Sequence, residues 1–382
     1  MVTLSSADNA LKSFYLDAMT ESLNTKTNPF LAKIERTSKY VTGKEVCKTM
    51  RVGINAGIGA GSETGDLPAA RDPKYIQLRT GLKNLYGTIE ISDKAIRASA
   101  NNEGAFVNLV NDEMESLIKS ATFNFGRMLF GFGDGVLGYV SLTFPGGIKV
   151  TNVQNFATGM YIDFVGAGEE FQNVRVEHVD YESDVLHFKD LDIDEDMVGT
   201  GLAIHGSQDN ELTGLEAIFH AGKLYGLSRE ESYMKPYYSE EFGDFTEEKL
   251  EQVIDAIERN SGDRVNFIIC SWEVRRMIRN YYQAQGIPVK TMQIEGGFTA
   301  IEVLGIPVVV DKFCPKGTMY LLNTDYFKLC QLCDWQWLEA EDGKILKQVP
   351  GKPVYTATLV KYAELICEKP LAQGKIMGIG EE

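Results

Sequence analysis

The chain has no apolar run approaching the roughly 20 residues that a membrane-spanning helix requires, so no membrane partner is expected. Its first residues, MVTLSSADNALKSFYLDAMTESL, lack a basic flank ahead of an apolar core and do not read as a signal peptide. Basic runs are missing too. Lys and Arg number 38 against 54 Asp and Glu, a net charge of −16. A chain this acidic repels nucleic-acid backbones, and no segregated basic patch offsets the repulsion, which argues against sequence-reading DNA binding. Cysteine is sparse: Cys47, Cys270, Cys314, Cys330, Cys333 and Cys367 are scattered over 382 residues. That favours free thiols in a reducing cytoplasm over a disulfide framework. Histidine is scarcer still, with only His178, His187, His205 and His220. These absences describe a soluble chain, intracellular when made.

What is present is an ordinary globular mixture. Hydrophobic residues at 44% are enough to bury sizeable cores, and the length fits two or three domains. One stretch stands apart. NAGIGAGSETGDLPAA, residues 55–70, packs Gly57, Gly59, Gly61 and Gly65 into nine residues. A phosphate-binding loop needs a Lys after its last glycine and a helix whose first amides meet the phosphate. Here no Lys follows any glycine, and the next element reads as a strand from Lys74. The dinucleotide fingerprint fails as well, because Ser62 stands where its third glycine belongs. The stretch reads as the mobile tip of a hairpin.

The flanks agree. In GKEVCKTMRVGI, Val46, Lys48, Met50 and Val52 share one strand face, and KYIQLRTGLKNLYGTIEIS is again strand-like. Neither flank is rich in large apolar residues on one face, and an isolated two-stranded ribbon is marginal in water. The hairpin must therefore lie on something. A short amphipathic helix over 9–23, stopped at Pro29, has the same need. From Asn102 to Phe130, Phe106, Val110, Met114, Leu117, Ala121, Phe125 and Met128 recur at steps of three and four, which predicts one long helix.

Beyond it, GIKVTNV, NVRVEHVDY and DVLHFKDL predict a small β-subdomain over 137–206. Residues 163–196 hold twelve acidic residues against Arg175 and Lys189, the excess of a solvated face. From about 207, strands and helices alternate. Thr246 caps EEKLEQVIDAIERN, RVNFIIC is a buried strand, and Ser271 caps WEVRRMIRNYYQAQ, which stops at Gly286. PVYTATLVKYAELICEKP alternates like a long strand.

The candidate chemical sites are weak. In DLDIDEDMVG, Asp190, Asp192 and Asp194 alternate as in a calcium loop, but Glu195 occupies the turn position that needs glycine and Gly201 replaces the terminal acid. Cys330 and Cys333 form a lone CxxC with no second pair or clustered His at zinc spacing. Ser271 follows a strand and opens a helix, yet CSWEV lacks the glycines of a nucleophile elbow. Arg275, Arg276 and Arg279 form a basic helix face, for which pairing with acidic surface is the plainer account. No cofactor or metal site is expected, and no catalysis.

The order of these elements resembles the major capsid proteins of tailed bacteriophages, the Hong Kong 97-like fold, over most of the chain. KTMRVGINAGIGAGSETGDLPAARDPKYIQLRTGLKNLYGTIEIS looks like that family's extended loop. NNEGAFVNLVNDEMESLIKSATFNFGRMLF looks like the spine helix of its peripheral domain. LTGLEAIF, GKLYGLSREE and GFTAIEVLGIPVVVDKFCPKGTMYLLNTDYFKL look like its axial domain, and PVYTATLVKYAELICEKPLAQGKIMGI like the return strand. The resemblance implies an α+β fold with an N-terminal arm (1–42), an extended loop (43–92), a peripheral domain with spine helix (93–136), the inserted β-subdomain (137–206), an axial domain (207–345) and a peripheral return strand (346–382).

It further implies a structural protein of the virion capsid, assembled in the bacterial host cytoplasm. Copies would form pentamers and hexamers of an icosahedral head enclosing double-stranded DNA without sequence-specific binding. A separate scaffold protein, a portal and a decoration protein are the implied partners besides the chain itself. The loop tip (Gly57, Gly59, Gly61, Glu63, Gly65, Asp66, Pro68, Arg71) and the arm (Phe14, Tyr15, Pro29, Phe30) would make the intersubunit contacts. Nothing singles out Lys74, Lys83 or Asn84 for a covalent cross-link. Two other readings stand beside this one: an encapsulin-type nanocompartment with the same fold and a protein cargo, and a cytoplasmic α/β enzyme or ligand-binding protein.

Overall fold

The computed structural model describes residues 16–25, 28–53, 57–66, 69, 74–94, 103–189, 191, 193–220 and 222–380. Phe14, Tyr15, Pro68, Arg71, Asp190 and Asp192 lie outside these residues, as do the side chains of Phe106 and Val110. Three sheets carry the architecture, and three separate groups of buried apolar side chains hold it together.

The first sheet is built on Val354–Cys367. On one side this long strand pairs antiparallel with Phe327–Trp337 and Lys347–Gln348, on the other with all ten residues of Lys83–Ser92. Glu35–Thr37 adds to the far edge in parallel. The helix Glu103–Met128 lies across one face. Its 26 residues run roughly 39 Å, and Met114, Leu117 and Phe125 are buried along its inward stripe. In the strand below, a Cβ at Gly87 would stand 2.8 Å from Leu117 Cδ1, so the glycine lets that leucine methyl seat directly on the strand.

Val136 to Ile204 form a seven-stranded antiparallel sheet, in the order 178–180, 185–187, 147–150, 136–144, 201–204, 161–164, 174–175. Its strands are two to nine residues long, and it has its own core around Phe156, Ile162, Phe164 and Leu186. The third sheet runs in the order 237–239, 374–376, 319–322, 267–270, 306–310, 299–303, 291–293. Two capped helices cover one face. Thr246 accepts the amide of Lys249 at the start of Glu247–Ser261, which ends on Gly262 at φ 75°. Ser271 accepts the amide of Val274 at the start of Trp272–Ala284. Leu250, Val253, Ile254 and Ile257 from the first, with Val274, Ile278 and Tyr282 from the second, fill the second core.

The structure departs from the sequence reading at three places. The strand expected over 74–92 breaks at Leu82 into Lys74–Gly81, which pairs with Glu45–Val52, and Lys83–Ser92, which joins the first sheet. Phe327–Trp337, read with the axial segment 207–345, belongs instead to the first sheet. The segment read as one return strand, 346–382, serves both sheets: Val354–Cys367 stays in the first, and Gly374–Ile376 enters the third between Tyr237–Ser239 and Met319–Leu322. Local pattern identifies a strand but not the sheet it joins, because that is decided by partners far along the chain.

The two crossings between these sheets are tied together by side-chain amides. Gln373 accepts the Asn323 amide at 2.9 Å through Oε1, and Asn266 Oδ1 accepts both the amide and the hydroxyl of Thr324. Each buried polar group so bonded avoids the cost of an unmet donor or acceptor.

Candidate assembly surfaces

Of the sixteen residues in the hairpin strands Glu45–Val52 and Lys74–Gly81, only Val46 and Leu78 are buried. The base is held to its own subunit. Lys48 pairs with Glu368 and lies 4.1 Å from the Tyr40 ring centroid, and the Arg79 amide donates to the Tyr225 carbonyl. Burial works to lower the Lys48 ammonium, but its interactions with Glu368 and Tyr40 together outweigh that and hold the group above its ordinary range. Beyond the base the ribbon runs out of core. Ile58 is 86% exposed, and Gly59, Gly61, Glu63, Gly65 and Asp66 are all exposed, with Gly57 half-buried. Among the described residues no helix follows this tip before the strand from Lys74.

The arm gives a different result. Asn28 accepts the Leu31 amide at 2.7 Å, Pro29 opens the short helix Pro29–Lys33, and Phe30 is fully buried, edge-on to Phe327 at 5.0 Å. Pro29 and Phe30 were expected at an intersubunit contact. They are instead part of the subunit's own core, since a side chain with no exposed surface offers nothing to a neighbour.

Just before them, Asn24 joins a polar knot. Its amide nitrogen donates to both Asp334 oxygens, at 3.0 and 2.9 Å. Lys361, wholly buried, donates to Asp334 Oδ1 at 2.8 Å and to Asn24 Oδ1 at 3.1 Å. Burial lowers the Lys361 ammonium, and Asp334 opposes that without cancelling it. Burial likewise works to raise the Asp334 carboxyl, but the neighbouring ammonium wins and holds it below the usual carboxylate range. The knot fastens the helix Leu16–Thr25 to the first sheet.

One buried carboxyl on the same strand has no cation. Glu364 accepts the amides of Thr213 and Leu365 through Oε1, at 2.8 and 3.0 Å, while Oε2 has no partner. Burial pushes its carboxyl up to about 7, more than those two amides restore. Between the ordinary value near 4.5 and 7, the folded chain holds a proton that the unfolded chain has released. This stabilisation is complete below pH 4.5 and is lost as pH rises to 7. Glu364→Gln removes the penalty, which by the size of the shift is roughly 3 kcal/mol. The variant is therefore expected to gain stability over the parent at pH 8 and to lose that margin at pH 4.5. Urea unfolding at the two pH values checks this; a constant difference between them would refute it.

None of the chemical candidates assembles into a site. Ser271 is spent as a helix cap, Arg275 lies over the Trp272 ring at 4.8 Å, and Arg276 reaches Glu273 at 3.5 Å. Cys330 is buried and its thiol is pushed up to about 12 by that burial; Cys333 is half-buried. His178 and His187 stack on each other, and His205 bonds Asp163 at 2.8 Å. Among the described residues no group of three His, Cys, Asp or Glu side chains could hold a metal ion, and no helix is long and apolar enough to cross a membrane.

No protein-family pattern and no curated protein matches this chain. Solved structures do. The capsid asymmetric unit of cyanophage A-1(L) superposes with a TM-score of 0.59 at 12% identity, over 93% of this chain and 94% of that one. It has the fold of phage capsid proteins. The capsid of the empty GTA particle shares this capsid fold, with a TM-score of 0.51 at 12% identity, over 92% of this chain and 90% of that one. So does the holo-SrpI encapsulin of Synechococcus elongatus, with a TM-score of 0.50 at 9% identity, over 93% and 89%. The likeness in fold covers 93% of the chain.

Two buried charges, Lys361 and Glu364 on Val354–Cys367, went unread in the sequence. The available signal was two charged residues within an otherwise uncharged strand segment.

Proposed function

We propose that this chain is the major shell subunit of a tailed-phage type of head, forming pentamers and hexamers of an icosahedral shell around double-stranded DNA. The observation that carries the reading is the likeness in fold, over 93% of the chain, to the capsid of cyanophage A-1(L). The hairpin supports it, because a ribbon with two buried residues in sixteen needs a surface outside its own subunit. On this reading the tip residues Gly57, Gly59, Gly61, Glu63, Gly65 and Asp66 meet a neighbouring copy. A scaffold protein, a portal and a decoration protein are its partners, and the virion is its location after assembly in the host cytoplasm. The role is structural, with no catalytic step. The acidic surplus suits a wall that must not trap its own genome.

The encapsulin match favours one second reading, a compartment with protein cargo. Negative-stain electron microscopy of the chain expressed alone and with a phage scaffold tests the first part. Closed shells or rings of five or six copies are the expected result; a uniform monomer or dimer in both preparations would overturn it. The ultraviolet absorbance ratio of particles purified from infected or lysogenic cells then separates nucleic acid from protein cargo.

A further inference from the structure

The inserted subdomain joins the rest of the chain through a narrow neck. Its two connectors, 130–136 and 204–213, run side by side and are tied by a backbone bond from the Asp209 amide to the Asp134 carbonyl at 2.8 Å. Glycine allows the close approach. Gly133, Gly135 and Gly206 have φ of 92°, 81° and 75°, and a Cβ at Gly135 would stand 2.7 Å from the Ser207 carbonyl oxygen.

Beyond the neck little holds the subdomain in place. Its buried apolar side chains form a core that is shared with neither of the other two. Among the described residues no hydrogen bond outside the neck joins it to the body. A cleft of about 280 Å³ lies between them instead, with Asn152 and Asn155 on the subdomain side and Glu216 and Tyr238 on the other. Its lining also includes Phe132 in the neck and Phe313 in the turn 311–317. A close-packed interface would leave no such gap.

That turn makes the one polar contact across. Lys312 Nζ lies 5.8 Å from the Tyr181 ring centroid in the subdomain, and 4.6 and 5.6 Å from those of Phe123 and Phe313 in the body. Lys316 Nζ stands 3.6 Å from Asp184 Oδ1, an ion pair without a hydrogen bond. Both sides are braced. Asp311 accepts the Phe313 amide at 2.9 Å, Asp180 accepts the Glu182 amide at 2.9 Å, and the Tyr181 hydroxyl donates to the Phe156 carbonyl at 3.0 Å. Such exposed charge contacts are individually weak and screened by salt. Two bodies held only by a neck and contacts of this kind turn relative to each other.

We propose that the inserted subdomain is a hinged arm, turning about the glycine neck and latched to the body by a salt-sensitive clasp of Lys312 on Tyr181 and Lys316 on Asp184. The clasp belongs to the single subunit and stands or falls apart from the shell reading.

The test is double electron–electron resonance on the full chain, with spin labels on Glu170→Cys in the subdomain and Gln252→Cys in the body, both exposed positions. Cys47→Ser and Cys333→Ser remove the half-buried thiols; the other four are buried. Two label distances are expected, one for the latched arm and one for the open arm. Lys312→Met and Lys316→Glu should each raise the ratio of open to latched about threefold, and together about tenfold. Salt separates the causes. In the parent, added salt weakens the clasp and raises the ratio. In the double variant Glu at 316 faces Asp184, only repulsion is left, and added salt should lower the ratio. A single distance, the same in parent, variants and both salts, would show that the subdomain is fixed to the body. Two distances in proportions indifferent to both lysines would show an arm that this clasp does not hold. Either result rejects the proposal.

Discussion

Removing Gly57 to Pro68 and closing the gap with a short turn is expected to leave a folded subunit that forms no closed shell. The reasoning separates two kinds of contact. The hairpin base is secured within the subunit by the Lys48–Glu368 pair, by Val46 and Leu78 in the core, and by the Arg79–Tyr225 backbone bond. None of these includes the tip. The tip's described side chains beyond Gly57 are exposed, Ile58 at 86%, so deleting them removes almost no apolar burial from the subunit. Circular dichroism and thermal unfolding should therefore match the parent closely, whereas electron microscopy should show free subunits or open fragments. Normal particles from the shortened chain would show that the tip makes no contact that assembly requires. A collapse of secondary structure would show that the tip's burial was misjudged.

The second large effect concerns the end of the long helix. Arg127 and Glu211 are each 3% exposed and form a two-bond pair, at 2.8 and 2.5 Å. This links the helix's last turn to the segment that leaves the inserted subdomain. Alongside it, the Leu215 amide caps the Leu129 carbonyl at 2.8 Å. Glu211→Leu leaves a guanidinium with no anion in an apolar setting, and breaking such a pair costs about 3–5 kcal/mol. Replacing both partners, Arg127→Met with Glu211→Leu, removes the charge with its counter-charge and is expected to recover most of that loss. Urea unfolding of the parent, both single variants and the double variant measures the coupling. A double variant as unstable as the single ones would mean that the pair's shape, and not its charge balance, is what the site requires.

How far the sequence foretold this molecule depends on the range of the interaction concerned. Helices were legible because their signals are local. The stripe through Met114, Leu117 and Phe125 lies within one helix, as do the caps at Thr246 and Ser271. The hairpin strands on either side of the glycine-rich tip were legible from their alternation. Sheet membership was not, because Phe327–Trp337 and Gly374–Ile376 find partners tens to hundreds of residues away. Pro29 and Phe30 misled for the same reason. Their segment looks like a loose arm until Phe327, some 300 residues later, comes to rest against it. The polar knot of Asn24, Asp334 and Lys361 spans a similar interval, and no spacing rule along the sequence relates these three residues.

The threading of Gly374–Ile376 into the third sheet has a consequence for synthesis on the ribosome. Tyr237–Ser239 reaches the rest of its sheet only through that strand, so about 140 residues must be translated before it finds its partner. At 5–20 residues per second that is roughly 7–30 s. The inserted subdomain closes its seven strands from residues 136–204 alone and needs no such delay. A nascent chain therefore carries one finished lobe and one sheet that lacks the strand next to its edge, and Met319–Leu322 has an open edge until Gly374–Ile376 emerges. A truncated or stalled product keeps that gap. Its incomplete lobe would mark it for proteolysis before it could be built into anything larger.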